Sequence, residues 1–411
     1  MEQDKKNAKD GHQGKPVSQE KSTRPPLLFI LILVLFMVLV LEVASYLTAN
    51  ILQDKWAMYE PDGPINATVT YDEYLEVRDP VLGWPRPYEY GGELYTEEGA
   101  IRVPANLELE GEALVTLYGD SFTKAHTPYV RREEAWPNLL ALELGRPVDN
   151  FGVGGYGSDQ ALVRFLDHGD QHTTPIVIMG HMAENMVRNL TRIRELTVYG
   201  KGLAFKPRFD FDESGDLIRV PIPTLTKEEY LRVMGTIDPP LAMEYENFGP
   251  MGRAGAVIPE FPYSLSLIRN FGFWRFKARM AGLPMDYWVL YEPDHPFRGL
   301  DITEAILETF SDEATRRGQL PLVLLFPSES DALHLRETGV DLFGELEDRL
   351  RNSGVEVLNL NPLVAQYSLV HEGGPLYQAH HFGPELSAQT AGWVYQKLDT
   401  LGWIQAPREV Q

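Results

Sequence analysis

The 411-residue sequence contains no cysteine. This absence excludes disulfide bonds, thiolate metal sites and a cysteine nucleophile, and it removes redox chemistry as a guide to the cellular compartment. Basic residues are also scarce, because 37 Lys and Arg face 59 Asp and Glu and leave a net charge of −22. Such a negative field repels phosphate backbones, so nucleic acid is not expected as a partner.

Charge is missing altogether from one segment near the N-terminus. No charged residue occurs from Pro25 to Leu41, and the apolar run extended to about Leu47 reaches the ~20 residues that a membrane-spanning helix needs. We therefore predict a transmembrane helix over 25–48, with Glu42 near one interface, where its carboxylate can reach water. Residues 1–24 are typical of a disordered polar tail. Their six cations are Lys5, Lys6, Lys9, Lys15, Lys21 and Arg24.

The positive-inside rule keeps a tail of this kind in the cytoplasm. The sequence therefore predicts a single-pass protein of the inner (plasma) membrane, which contacts the lipid bilayer through residues 25–48 and carries its C-terminal domain in the periplasm or outside the cell. Two alternatives stay open for this segment: a buried core helix, and a signal peptide cleaved near Val43-Ala44-Ser45.

The rest of the chain has the composition of a globular protein, with 44% hydrophobic and 23% charged residues. Residues 49–112 carry many Pro and Gly turn signals and are predicted to form a lead-in arm. From 113 to 404, apolar runs alternate with helical patterns, which predicts an α/β domain with a central parallel sheet covered on both faces. An insertion at about 190–300 interrupts the alternation and contains a predicted hairpin that turns at 213–215. The expected strands are 113–118, 148–151, 176–179, 320–326 and 355–360, and the expected helices lie near 133–144, 157–168, 301–317, 340–352 and 384–400.

Three segments carry residues suited to acyl chemistry. Ser121 directly follows the first predicted strand, at the sheet edge where open α/β folds bind ligands. A serine hydroxyl needs a base to take its proton, and His381 is the best candidate, although His380 lies beside it. The tetrahedral intermediate also needs hydrogen-bond donors, and the glycine-rich loop after the second strand offers the backbone N–H of Gly155.

Taken together, these segments resemble the SGNH, or GDSL-type, hydrolase family, and in particular its GDSF-T branch. The resemblance covers roughly 80–195 and 318–400 and implies a three-layer α/β sandwich of SGNH or flavodoxin-like type. It also implies that Ser121 is the nucleophile, that His381 is the general base, and that the N–H groups of Ser121 and Gly155 form the oxyanion hole. The segments that carry it are Gly119-Asp120-Ser121-Phe122, the loop Asn150–Gly157, Leu82-Gly-Trp84, Trp136–Leu140 and His380-His381, with Asp120, Asn150 and Gly154 as supporting residues.

Two departures from the family pattern affect the expected site. The family's third block supplies an asparagine donor, which here is Asn185 if the register shifts by one and is otherwise replaced by Glu184. The family also places an aspartate two or three residues before the histidine, where this chain has Gln378 and Ala379. Either a Ser-His dyad operates, or another carboxylate such as Glu372 orients the imidazole, or catalysis has been lost.

These observations predict a membrane-anchored serine ester hydrolase or O-acyltransferase that acts on an acylated glycan of the cell envelope, with O-acetyl chemistry as the concrete expectation. No cofactor and no metal site are expected. The alternative is a catalytically inactive SGNH-fold protein that binds a glycan or a partner in polysaccharide assembly. The sequence does not determine the acyl group, the acceptor or the oligomeric state.

Overall fold

The computed structural model describes residues 26–56, 70–84, 99–171, 173–194, 205–236, 245–248, 260–271 and 274–404. The predicted tail, 1–24, lies outside the described residues, and so do parts of the predicted lead-in arm and insertion. Predictions about those parts of the chain remain predictions.

Short apolar runs form the strands at the places where the sequence predicts them, and the α/β class is confirmed. Five strands build one parallel sheet, and the other four form two antiparallel hairpins, the first of which turns where predicted. In chain order the strands are β1 (Val115–Tyr118), β2 (Val148–Asn150), β3 (Ile176–Met182), β4 (Arg208–Phe211), β5 (Leu217–Val220), β6 (Leu320–Phe326), β7 (Val357–Asn359), β8 (Tyr377–Gln378) and β9 (His381–Phe382).

Helices connect and cover these strands. Several of them were not predicted, namely those at 71–77, 185–189, 227–236, 263–270, 274–280, 329–338 and 360–370. Ser328 and Asp331 form a capping box at the start of the helix at 329–338, which is a start signal present in the sequence. The α-helices of the described residues are α1 (Leu27–Trp56), α2 (Tyr71–Val77), α3 (Ser121–Lys124), α4 (Trp136–Leu144), α5 (Ser158–His168), α6 (Asn185–Asn189), α7 (Lys227–Thr236), α8 (Tyr263–Asn270), α9 (Trp274–Met280), α10 (Gly299–Arg316), α11 (Glu329–Thr338), α12 (Gly344–Asn352), α13 (Leu360–Val370) and α14 (Pro384–Thr400).

The sheet separates two hydrophobic cores, as the predicted three-layer sandwich requires. Alternate residues of a strand point to opposite faces, so Val177 and Met179 of β3 join one core, with helices α5, α10 and α12. Ile176 and Ile178 join the other core, with α4, α13 and α14. Because both faces are covered, the strands are almost continuously buried.

The order of the strands places a crevice at one end of the sheet. The order is β2-β1-β3-β6-β7, so the chain moves outward from β1 to β2 and then returns to the other side of β1 to form β3. The loops after β1 and β3 therefore diverge, and this switch point is where doubly wound sheets bind ligands. Ser121 follows β1 and Asn185 follows β3, so both lie at this point.

Helix α1 is long and apolar enough to cross a membrane between Leu27 and Leu52, with a mean hydropathy of 3.2. It extends to Trp56, eight residues beyond the predicted end of the span and into the predicted lead-in arm. Residues 49–56 contain neither Pro nor Gly, and Ala49 packs into the core of the α/β domain. The helix therefore continues past its most apolar part.

Candidate active site

Ser121 is the first residue of α3, directly after the carboxyl end of β1. The turn from strand to helix needs Gly119, because a Cβ at that position would lie 2.0 Å from Thr123 Oγ1 and 3.0 Å from the Gly180 carbonyl oxygen. Asp120 caps the helix by accepting a hydrogen bond from the Phe122 N–H at 2.8 Å. Ser121 is half-buried at the mouth of the crevice, which is the position that the sequence predicts.

Asp120 is completely buried, and its carboxylate forms an ion pair with Arg188 of α6 at 3.2 Å. Burial raises the pKa of Asp120, while the positive charge of Arg188, the Phe122 N–H and the charged form of His381 all lower it. The same Arg188 nitrogen donates to the Tyr156 carbonyl at 2.9 Å. Arg188 therefore joins the loops after β1, β2 and β3. Nothing local in the sequence indicates this role, because Asp120 is 68 residues away from Arg188.

The glycine-rich loop after β2 is fixed against α3. Asn150 donates from its side-chain amide to the Thr123 carbonyl at 3.0 Å and accepts from the Gly152 N–H at 2.9 Å. A Cβ on Gly152 would lie 2.4 Å from the Lys124 backbone nitrogen, so only glycine fits there. Asn150 is therefore a positioning residue that sets the distance between this loop and the serine.

Gly154 and Gly155 form the tip of this loop. Gly155 has a positive φ of 82°, which favours glycine, and the guanidinium of Arg194 lies 3.1 Å from the position that a Cβ would take. The Gly154 carbonyl accepts from the Trp84 indole N–H at 3.3 Å. Arg194 also lies over the Trp84 ring at 5.7 Å, so a cation and an aromatic ring border the predicted oxyanion donor. No motif in the sequence points to Arg194.

Asn185 and Glu184, the two alternatives for the third block, differ in their surroundings. Asn185 is fully buried and its Oδ1 accepts from Arg188 at 3.0 Å, while its Nδ2 has no hydrogen-bond partner among the described residues. Glu184 is half-buried and pairs with Arg188 at 3.3 Å. An unsatisfied buried amide N–H is uncommon in proteins, and a site that provides a donor for an incoming oxygen is one place where it occurs.

His381 lies on β9, in the short hairpin that precedes α14. Its Nδ1 is 3.0 Å from the Ala379 carbonyl oxygen, and its ring stacks on Phe122 with centroids 5.1 Å apart. Phe122 follows the candidate nucleophile, so the stacking brings the imidazole to the serine side of the crevice. In the described part of the chain, no hydrogen bond joins Ser121 to His381, and no carboxylate pairs with His381.

His380, the alternative base, and Glu372, the alternative carboxylate for orienting the imidazole, are both exposed. His380 lies in the turn between β8 and β9, and Glu372 lies before the hairpin. His380 and Ala379 both have positive φ values, 67° and 46°. This pair of left-handed residues forms a tight two-residue turn of the type that suits the twist of a hairpin. The turn points the Ala379 carbonyl towards the His381 ring. Among the described residues, no group of three or more acidic or histidine side chains could hold a metal ion.

No protein-family model matches this chain, and no curated protein is significantly similar to it. Several solved structures are similar at low identity. One is a protein of the G-D-S-L family, assigned as lipolytic, from Desulfitobacterium hafniense DCB-2, with 13% identity, a TM-score of 0.35 and coverage of 69% of this chain and 98% of that chain. TesA has 10% identity, a TM-score of 0.35 and coverage of 70% and 98%. LAE5, an alpha/beta hydrolase enzyme from the metagenome of Lake Arreo, Spain, has 14% identity, a TM-score of 0.34 and coverage of 72% and 98%. Identities and scores this low leave the function to be inferred from the chain's own residues.

Proposed function

We propose that this chain is a membrane-anchored serine ester hydrolase or O-acyltransferase of SGNH type, with Ser121 as nucleophile and His381 as general base. The observation that carries the proposal is the contact between His381 Nδ1 and the Ala379 carbonyl, on a ring that stacks on Phe122, the residue after Ser121. A carbonyl only accepts, so Nδ1 must carry the proton and Nε2 keeps its lone pair. The free Nε2 is the atom that can take the serine proton.

The Ala379 carbonyl thus replaces the aspartate that the SGNH pattern places before the histidine. In a Ser-His-Asp triad the acid holds the tautomer and orientation of the imidazole and does not itself take a proton. A backbone carbonyl can hold the same tautomer, although it stabilises the imidazolium less than a carboxylate does. We therefore propose a Ser-His dyad rather than a triad completed by Glu372.

The reaction follows from these positions. Ser121 Oγ attacks the acyl carbonyl of an ester while His381 Nε2 takes the hydroxyl proton. The backbone N–H groups of Ser121 and Gly155 and the unpartnered Nδ2 of Asn185 donate to the oxyanion. His381 then gives its proton to the leaving alkoxide, which departs as an alcohol and leaves an acyl-serine. Water or a sugar hydroxyl, deprotonated by His381, then attacks the acyl-serine. The bond between the acyl group and Ser121 Oγ breaks, His381 returns the proton to that oxygen, and an acid or a new ester is released.

The membrane helix suggests where this reaction occurs. With α1 as an uncleaved anchor and the basic tail in the cytoplasm, the α/β domain faces the periplasm or the cell exterior. Ester-bearing polymers of the envelope are the substrates available there, and an acylated glycan is the class we propose, in keeping with the resemblance to the GDSF-T branch. We propose neither a cofactor nor a metal for this reaction.

A second function is favoured by one specific observation. Because no hydrogen bond joins Ser121 to His381 in the described residues, the crevice could bind an acylated glycan without cleaving it. Hydrogen bonds at catalytic sites often form fully only when substrate is bound, so a free chain without the Ser121–His381 hydrogen bond is also compatible with catalysis.

Covalent labelling separates the two functions. The full-length chain, purified in detergent, is treated with a fluorophosphonate probe and compared with Ser121→Ala, His381→Ala and the matched control His380→Ala. We expect labelling of the wild type and of His380→Ala, none of Ser121→Ala, and a rate ~10²–10⁴-fold lower for His381→Ala, the usual contribution of a general base. A folded wild type that does not label would overturn the hydrolase and support the binding protein.

The choice between hydrolysis and transfer needs a second assay. Wild-type enzyme that has not been exposed to the probe would be incubated with an acetyl ester in the presence and absence of oligosaccharide acceptors. If acetylated oligosaccharide forms and the amount of free acetate decreases correspondingly, the enzyme is a transferase. If free acetate is the only product at every acceptor concentration, it is a hydrolase.

A further inference from the structure

Helices α8 and α9 lie in a segment with an unusual charge. From 261 to 285 the chain contains four cations, Arg269, Arg275, Lys277 and Arg279, and no acidic residue, although the whole chain has a net charge of −22. Arg269, Lys277 and Arg279 are exposed. A basic segment in such an acidic protein points to a negatively charged partner surface.

The same segment is attached to the membrane helix. Between residues 27 and 52 of α1, the least exposed are Glu42, Ser45, Ala49 and Leu52, and their spacing of three, four and three residues places them on one helix face. The Glu42 carboxylate accepts a hydrogen bond from the Tyr263 N–H at 2.6 Å and another from the Ser264 hydroxyl, at the start of α8.

Further contacts extend this junction. The Tyr46 and Tyr263 rings meet edge to face at 5.0 Å. Ala49 belongs to the same buried cluster as Leu267 and Trp274. Helix α8 is therefore fixed against α1 on its inner side.

If α1 spans the membrane, its contact with α8 determines how deep α8 lies, so the position of α8 rests on the proposed membrane anchor. At 1.5 Å per residue, the stretch from Leu27 to Leu47 is ~30 Å long, the thickness of the hydrocarbon core. Residues 42–49 then lie at the outer edge of that core. Helix α8, which contacts these residues, must lie at the level of the lipid headgroups.

The outer side of α8 is apolar. Leu265 and Ile268 of α8 are 50% and 65% accessible, and Phe261 and Phe271, which flank the helix, also expose large apolar side chains. Leu265, Ile268 and the exposed Arg269 share one face of the helix by their spacing. Met280 of α9 is also exposed, next to Arg279. Apolar side chains interleaved with cations on a helix in the interface are the features of an interfacial membrane-binding helix.

We propose that α8 and α9 form an interfacial element that inserts its exposed apolar side chains into a bilayer containing anionic lipid, and so fixes the α/β domain on the membrane surface. The bilayer is the occupant that the geometry favours because the same surface continues into α1. The three exposed cations match the negative headgroups. The element restricts the orientation of the candidate active site relative to the membrane, which a flexible tether would not do.

Single-cysteine labelling can test this, because the natural chain has no cysteine to interfere. The full chain with Leu265→Cys or Ile268→Cys would carry an environment-sensitive fluorophore in vesicles of phosphatidylcholine and phosphatidylglycerol. Leu142→Cys is the matched control, since Leu142 is 51% exposed on α4, on the opposite face of the sheet. We expect blue-shifted emission, quenching by shallow nitroxide lipids and protection from iodide at 265 and 268, and the reverse at 142.

Three further results would decide the proposal. Fluorescence at 265 that resembles the control at 142 in both lipid mixtures would overturn it. Two losses of quenching by nitroxide lipids would support anionic lipid as the partner. One is a loss in vesicles of pure phosphatidylcholine, and the other is a loss in the variant that combines Arg269→Gln, Lys277→Gln and Arg279→Gln. Protection at 265 in native membranes but not in lipid vesicles would overturn the lipid assignment in favour of a protein partner. A probe at Leu35→Cys with deep nitroxide lipids tests the anchor separately, so failure of α1 to span the membrane is distinguishable from failure of α8 to bind it.

Discussion

The two halves of the candidate site are held in different ways. The serine half is held by contacts that join distant parts of the chain: Arg188 pairs with buried Asp120, Asn150 bonds the Thr123 carbonyl, and the Trp136 indole donates to the Phe122 carbonyl at 2.8 Å. The histidine half is held mainly by its own hairpin. The fold therefore fixes the nucleophile, while a local turn fixes the base.

The hairpin itself has few anchors. The Tyr377 hydroxyl donates to the Pro327 carbonyl at 3.1 Å, and Phe382 packs edge to face on Phe122 at 5.2 Å. The imidazole between them depends on one carbonyl and one stacked ring. Substitutions in the serine half should therefore change global stability, whereas substitutions in the hairpin should change activity with little effect on stability.

The largest effect is expected for Arg188→Met. The substitution leaves the Asp120 carboxyl buried without its ion pair, and breaking a buried pair in this way costs about 3–5 kcal/mol of unfolding free energy. Denaturant unfolding of the full chain in detergent measures it. Arg131→Met is the control, because the Arg131–Glu134 pair lies at the surface, where ion pairs contribute little to stability. Equal losses for both variants would mean that Arg188 does not secure the serine half.

Gly152→Ala should have the next largest effect. Its Cβ would overlap the Lys124 backbone, which cannot yield as a flexible side chain would, and overpacking of this kind costs about 1–3 kcal/mol. We expect lower stability and slower fluorophosphonate labelling, because the loop and α3 must move apart. Gly154→Ala is the matched control, since nothing lies within 4 Å of the added methyl group. Similar losses in the two variants would contradict the close packing of loop and helix.

The same contrast explains what the sequence could predict. The five strands of the sheet were predictable because buried strands are short apolar runs. The positions of Ser121 after β1 and of Gly155 in the loop after β2 were predictable for the same reason, while their roles in catalysis remain proposals. The role of Arg188 was not predictable, because nothing local to Asn185 and Arg188 indicates a partner 68 residues away. The Ala379 carbonyl could not be predicted either, because every residue has a carbonyl and only the turn aims this one at His381. The missing aspartate therefore left three alternatives open in the sequence.

A third prediction concerns acid stability and a second histidine, His181. His181 lies on β3 in the serine half, completely buried between Ser158 and Tyr291, and burial lowers its pKa to about 3. The unfolded chain binds a proton at this residue near pH 6.5 and the folded chain does not, so stability falls as the pH falls from 6.5 towards 3. Between pH 7.5 and 5 this single group should account for about 2 kcal/mol, at 1.36 kcal/mol per pH unit.

The measurement is the difference in unfolding free energy between the two pH values, for the wild type and for His181→Gln. The variant should lose about 2 kcal/mol of that difference, whatever its absolute stability. Tyr291→Phe is the control, because it removes a hydrogen bond to His181 but keeps the titrating group, and its pH dependence should match that of the wild type. If His181→Gln kept the acid dependence of the wild type, His181 would bind a proton equally well in the folded and the unfolded chain, and its burial would not lower its pKa.

The smallest effect is expected in the histidine half, for His380→Gly. His380 has a positive φ of 67°, which costs a non-glycine residue about 1–2 kcal/mol of stability. Glycine removes part of this cost, but it destabilises the folded chain by about 0.5–1 kcal/mol because it has more conformational entropy to lose on folding. We expect a gain of about 0.5 kcal/mol at most, with labelling retained because the Ala379 carbonyl keeps its position. His334→Gly, in the interior of α11, should lose stability instead, since glycine has no conformational advantage there. If His380→Gly were to lower labelling as far as His381→Ala does, the imidazole would depend on the side chain of His380 and not on the turn alone.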